Sequence, residues 1–187
     1  MSQSFVSLNF LPKGKYRIDL VEGVTKTNFF SLCYGALTTI GLLTFISYAT
    51  TYVLIENLEY QRESIGTIVG DLQVVAEIAL LMVFLPVGLI ADKIGRRQVY
   101  SFGMAAMGLS YFLYPLATGI GELTIYRVIY AIGMGAATGM LGTVNADYPQ
   151  DRTRGKMLAV TGILNATGVI LVSLVFRDTF SFLAIYF

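Results

Sequence analysis

The chain has 187 residues, of which 55% are hydrophobic and only 13% charged, with a net charge of +1 and a mean hydropathy of +0.67. Soluble domains carry about 25% charged residues, so this deficit points to a chain that lives mainly in lipid, and so small a cationic surplus forms no nucleic-acid face. A single cysteine, Cys33, and no histidine exclude an internal disulfide and a CxxC metal site and remove the commonest metal ligand and general base. No metal, cofactor or enzyme activity is expected.

Residues 1–28 form a mixed segment with no short apolar stretch ending in a cleavage site. Phe5, Leu8, Phe10 and Leu11 beside Lys13, Lys15 and Arg17 suit a membrane-surface segment, but a loose cytoplasmic tail is the simpler expectation. Residues 29–187 form the membrane region. A helix needs about 20 apolar residues to cross a bilayer core, and five segments qualify: about 29–55, 65–91, 99–117, 123–146 and 157–176. A sixth apolar run begins at Phe180 and reaches only Phe187, so the sequence reads as ending in mid-helix.

In the first span, Tyr34, Thr38, Gly41, Phe45, Tyr48 and Tyr52 recur at helical spacing as a polar-aromatic stripe. Two readings stand for it, a solute-facing wall or aromatic packing with Tyr52 at the interface. The second span carries Asp71 and, near mid-membrane, Glu77; the fourth carries Arg127. Each costs about 2.5–3.5 kcal/mol at a bilayer centre on insertion scales. Asp71 and Arg127 fall at similar depth and can pair, either as a static pair holding two helices in register or as part of a coupling device. Glu77 has no evident partner. Buried carboxylates can act as proton carriers near neutral pH, so proton coupling would rest on Asp71 and Glu77.

Between the second and third spans stands Gly88-Leu-Ile-Ala-Asp92-Lys93-Ile-Gly95-Arg96-Arg97. Gly95 permits a tight reversal, and Gly88 would let another backbone approach. Asp92 is expected near the start of the next helix, whose dipole favours an anion. Between the fourth and fifth spans stands Asp147-Tyr-Pro-Gln-Asp-Arg152-Thr-Arg154-Gly155-Lys156. Gly133, Gly135, Gly139 and Gly142 follow Arg127 inside an apolar helix, a context that excludes a nucleotide loop; Gly135 and Gly139 suit close helix packing. On the fifth span Thr161 and Asn165 share a face, as cavity residues or, more simply, as helix–helix hydrogen bonds.

Ten of the thirteen basic residues lie on one side: Lys13, Lys15, Arg17 and Lys26, then Lys93, Arg96 and Arg97, then Arg152, Arg154 and Lys156. Positive charge stays on the cytoplasmic side. The expectation is a multi-pass protein of the plasma (inner) membrane with a cytoplasmic N-terminus.

The Gly-x-x-x-Asp-basic-x-Gly-Arg-Arg spacing of residues 88–97 resembles the signature loop between the second and third helices of the major facilitator superfamily. Arg127 with its following glycines, and the acid, proline and Arg-Gly pair of residues 147–155, extend that resemblance over about residues 29–176. It implies an all-α polytopic membrane protein, here the N-terminal six-helix half with five complete spans and the start of a sixth. The implied activity is transport of a small organic solute by alternating access, with a C-terminal half as partner and the lipid bilayer around both. It also implies that Gly88, Asp92, Lys93, Gly95, Arg96, Arg97, Asp147, Arg154 and Gly155 form a gate, with Asp147 pairing with Arg96. The first and fourth helices line the cavity in this family, which makes Tyr34, Thr38 and Tyr48 of the first span candidates for it, and Asn165 of the fifth span is a further candidate. The contrasting reading is a short, non-transporting membrane scaffold or modulatory subunit, which would have little use for Asp71, Glu77 and Arg127.

Overall fold

The computed structural model describes residues 7–9 and 17–185, with side chains over residues 17–176. Phe5, Phe10, Leu11, Lys13 and Lys15 lie outside the described residues, as do the side chains of Leu8, Arg177 and Asp178. Two short strands, β1 (Ser7–Asn9) and β2 (Arg17–Asp19), precede five α-helices: α1 (Lys26–Tyr52), α2 (Arg62–Ile94), α3 (Arg96–Leu113), α4 (Ile120–Asp147) and α5 (Arg154–Ile185). A π-helical turn, Val53–Asn57, extends α1, and 3-10 turns follow α3 at Tyr114–Leu116 and precede α5 at Asp151–Thr153.

Among the described residues, four helical segments are long and apolar enough to cross a membrane: Lys26–Asn57, Arg62–Ile94, Ile120–Asp147 and Asp151–Phe176. The expected third span is the exception. α3 has 18 residues, enough in length, but opens on Arg96, Arg97 and Gln98, which leaves it short of the apolarity of the other four. The expected boundary between a fifth and a sixth span is also absent. α5 continues as helix through Arg177 and Asp178 to Ile185, because no glycine or proline interrupts it there.

The chain divides into two units, one gathering the chain up to Leu42 with Leu141–Val175, the other Leu43–Met140 with the chain from Phe176. In the first unit, β1 and β2 pair antiparallel with Leu8 opposite Ile18. Ile18 and Leu20 alternate with Arg17 and Asp19, the period of a strand with one face buried, and both pack with Phe29, Leu32 and Met157 in one apolar cluster. The backbone is fastened to the turn before α5: Gln150 N donates to Asp19 O at 2.9 Å and Val21 N to Tyr148 O at 2.9 Å. Thr153 Oγ1 donates to Asp19 O at 3.0 Å and accepts from Asp19 N at 3.2 Å. Residues 17–21 are therefore docked, which corrects the expectation of a loose tail for that stretch.

Further along this unit α1 and α5 touch backbone to backbone. A Cβ on Gly168 would run into the Leu37 carbonyl oxygen, and one on Gly41 would lie 3.1 Å from Gly168 O. Only paired glycines allow that approach.

The second unit is built on α2, α3 and α4. Gly95 joins α2 to α3 with φ +98°, a value that L-residues rarely adopt, and its N–H caps Ala91 O at 2.9 Å. This is the reversal the sequence predicts. α3 and α4 meet through Gly103 and Gly133: a Cβ on Gly133 would lie 2.7 Å from Gly103 O and from Met107 N. Gly135 and Gly139 serve a looser contact, receiving the side chains of Leu80 and Phe84 of α2.

Candidate functional site

Arg127 is 3% exposed. α4 places it on the helical face that also buries Leu123, Tyr130 and Ala131, the i, i+3, i+4 spacing of one helix side. Its Nη2 donates to Gln73 Oε1 of α2 at 2.5 Å, and its Nη1 reaches Thr50 Oγ1 of α1 at 3.4 Å. The guanidinium carbon stands 5.4 Å from the centroid of the Tyr130 ring, within the range of a cation–π contact. Thr50 donates its own proton to Ile46 O at 2.7 Å, which leaves its lone pairs to face the cation. Arg127 Nε has no partner among the described residues.

Gln73 continues the line. Its Nε2 donates to Glu77 Oε1 at 2.7 Å, so its amide oxygen faces the cation and its NH2 faces the carboxylate. The amide dipole thus bridges two opposite charges that do not touch. Asp71, expected as the partner of Arg127, takes no part. Two residues on a helix are about 200° apart in azimuth, so with Gln73 turned to Arg127, Asp71 points away and is exposed. Gln73 was missed in the sequence although the signal was there: a glutamine four residues before a glutamate within an apolar span.

Beyond Thr50, at 3.4 Å from its hydroxyl, lies Tyr114 Oη, which borders a cavity of about 250 Å³ walled by Phe45, Tyr48, Tyr52, Tyr111, Tyr114 and Phe176. Phe45 packs on Phe176 with ring centroids 4.6 Å apart and on Tyr111 at 5.1 Å, while Tyr48 stacks on Phe176 at 6.2 Å. Of the aromatic stripe, only the part from Phe45 onward reaches this cavity.

The remaining cavity candidates fall elsewhere, in the first unit. Tyr34 is 70% exposed. Thr38 returns its hydroxyl to Tyr34 O at 2.8 Å. Asn165, with its amide oriented to donate, reaches Ala36 O at 3.0 Å and Thr161 O at 3.3 Å, and Thr161 Oγ1 accepts from Asn145 Nδ2 at 2.9 Å. Asn165 and Thr161 thus make hydrogen bonds between helices.

The two loops each hold a distinct geometry. In the second unit Asp92 and Lys93 are exposed in the last turn of α2. The acid therefore ends one helix instead of starting the next, since α3 begins only at Arg96. A Cβ on Gly88 would meet nothing within 4 Å, so within the described residues no backbone uses the approach that Gly88 offers. Arg96 is half-buried and Arg97 exposed. In the first unit Asp147 closes α4, Arg154 Nη2 lies 3.4 Å from Asp151 Oδ1, and a Cβ on Gly155 would meet nothing within 4 Å.

Long apolar helices, a buried arginine among them and a glycine-turned basic loop are the features of a polytopic membrane protein. The family model of the Major Facilitator Superfamily matches residues 37–182, and the chain belongs to that family. It is similar to the magnetosome protein MamH of Paramagnetospirillum magneticum, with 31% identity over 62% of this chain and 28% of MamH. It is also similar to low affinity inorganic phosphate transporter 5 of Petunia hybrida, with 32% identity over 47% of this chain and 18% of that protein. The inner membrane metabolite transport protein YgcS of Escherichia coli shows 29% identity over 53% of this chain and 22% of its own length. The chain thus spans less than a third of these relatives. No solved structure matches it.

Proposed function

We propose that this chain is the N-terminal part of a transporter that moves a small anionic solute by alternating access, completed by a C-terminal half. The single observation behind this reading is the state of Arg127. A cation taken out of water costs several kcal/mol unless it meets an opposite charge, yet among the described residues Arg127 meets only neutral groups, Gln73, Thr50 and the Tyr130 ring, and keeps Nε without a partner. An anionic solute would supply the missing charge. A relative named as an inorganic phosphate transporter supports the same solute class. Glu77, linked to Arg127 through Gln73, is the group we assign to proton coupling: protonating it weakens its hold on the amide and with it the bridge to the cation. Asp92, Arg96 and Arg97, together with Asp147 and Arg154, would form the gate on the cytoplasmic side of the plasma (inner) membrane, the side of the N-terminus, and release as one half rocks against the other.

The test is uptake of radiolabelled inorganic phosphate, and of a panel of organic phosphates and carboxylates, by the full-length protein in proteoliposomes. Arg127→Gln should lower uptake of the transported anion about 30-fold or more, as loss of a buried charge partner does, while Glu77→Gln should remove the response to an imposed proton gradient. Uptake of that anion undiminished in Arg127→Gln would overturn the assignment. If no anion is taken up but a neutral solute is, the anionic class fails and the transporter reading stands.

A further inference from the structure

A second cavity, polar where the first is aromatic and independent of Arg127, lies in the first unit where α5 begins. It measures about 270 Å³ and is lined by Arg17, Asp19, Arg152, Thr153 and Lys156, close to the lower end of the ~300–1,000 Å³ typical of small-molecule sites. Three cations face it and, among the described lining residues, a single carboxylate. That carboxylate is already engaged, since Asp19 Oδ1 takes Arg17 Nε at 2.6 Å. The lining therefore keeps a net surplus of two positive charges.

The frame beneath these cations is fixed. Thr153, 3% exposed, ties strand β2 to the 3-10 turn through both the N–H and the carbonyl of Asp19, and Lys156 Nζ donates to Arg17 O at 3.2 Å. Arg17 and Lys156, 139 positions apart in the chain, are thus held at one opening. This opening sits beside the first turn of α5, at the end of a segment long and apolar enough to cross a membrane, and headgroups flank the ends of such spans.

We propose that Arg17, Arg152 and Lys156 form a binding site for a phosphate group, carried either by an anionic lipid headgroup or by a free phosphate. Guanidinium forks and an ammonium point charge are the side chains suited to phosphate oxygens, and basic pockets at the cytoplasmic ends of spans are where anionic headgroups bind. An occupied site would brace the N-terminal strand pair against α5, linking the local lipid or phosphate supply to the segment that closes the turn between α4 and α5. This site does not depend on the reading of Arg127.

The experiment uses the full-length protein in nanodiscs. One arm compares discs of phosphatidylcholine alone with discs containing phosphatidylglycerol or a phosphatidylinositol phosphate, and reads hydrogen exchange of residues 17–21 and lipid retention by native mass spectrometry. The other arm adds inorganic phosphate to phosphatidylcholine discs. Anionic ligand should slow exchange at residues 17–21, and binding should weaken about fivefold per cation removed in Arg152→Gln and Lys156→Gln, with Lys156→Arg retaining it. Arg62→Gln, an exposed cation of the other unit, should leave it unchanged. Protection by lipid alone identifies a headgroup, and protection by phosphate in lipid-neutral discs identifies free phosphate. Because Arg127→Gln removes only the solute site, a response that survives it but not Arg152→Gln belongs here. Equal lipid retention and equal exchange in wild type and in the Arg152→Gln/Lys156→Gln variant, folded alike by size-exclusion elution, would overturn the proposal.

Discussion

Arg127 and Gln73 set the terms at the scale of single residues. The guanidinium is always protonated, so its burial must be compensated by donors finding acceptors, and Gln73 is the nearest of these. Gln73→Leu leaves Nη2 of a buried cation without its acceptor, and a lost acceptor at such a site costs about 1–3 kcal/mol. Asp71→Asn changes a residue that points away and should stay within about 0.5 kcal/mol. Chemical unfolding of the purified full-length protein in detergent separates the two. If Asp71→Asn proved the more damaging, Asp71 would be the partner of Arg127 after all. The pair expected from depth alone failed because depth says nothing of azimuth.

At the scale of elements, glycines decide which helices can touch. α1 and α5 cross at Gly41 and Gly168, where a Cβ on Gly168 would strike the Leu37 carbonyl. Backbone cannot yield as a side chain tip does, so the helices would have to separate and lose their packing. Gly168→Ala should therefore destabilise the protein by about 1–3 kcal/mol, the range for overpacked contacts. Gly142→Ala, where a Cβ meets nothing within 4 Å, should be neutral or stabilising by up to about 1 kcal/mol, since alanine is the better helix former. Thermal unfolding midpoints of the two variants check this; equal midpoints would mean that the crossing is slack. The loop at Gly95 was readable beforehand because a single positive φ suffices to turn α2 into α3. Gly168 was not readable, because a lone glycine in an apolar helix acquires its role only from the glycine it faces.

On the scale of the whole molecule, the outward faces are as informative as the buried ones. Leu81, Met82, Leu85 and Leu89 of α2 and Ile163, Ile170, Leu174 and Val175 of α5 are all largely exposed within this chain. An apolar helix face of this kind, in either unit, needs lipid or other protein against it. In the membrane-embedded full-length protein on a cysteine-free background, Leu85→Cys should resist a membrane-impermeant maleimide, while Glu59→Cys, exposed in the loop before α2, should react readily. Rapid labelling of Leu85→Cys would place that face of α2 along a water-filled path and not against lipid or protein.

What the sequence determined by itself was the class of protein, its family, the reversal at Gly95 and the presence of a charge that must be handled inside the membrane. These follow from local quantities: composition, the length of apolar runs, a backbone angle, and the cost of desolvating one side chain. The tertiary structure alone decided that Gln73 meets Arg127, that Gly168 receives α1, and that residues 17–21 lie docked on the turn before α5. Each depends on which azimuth one helix turns toward another, and one residue of slip rotates a helical side chain by about 100°. Apolar runs that are hydrophobic on every face carry almost no record of that angle, so only the packed structure could supply it.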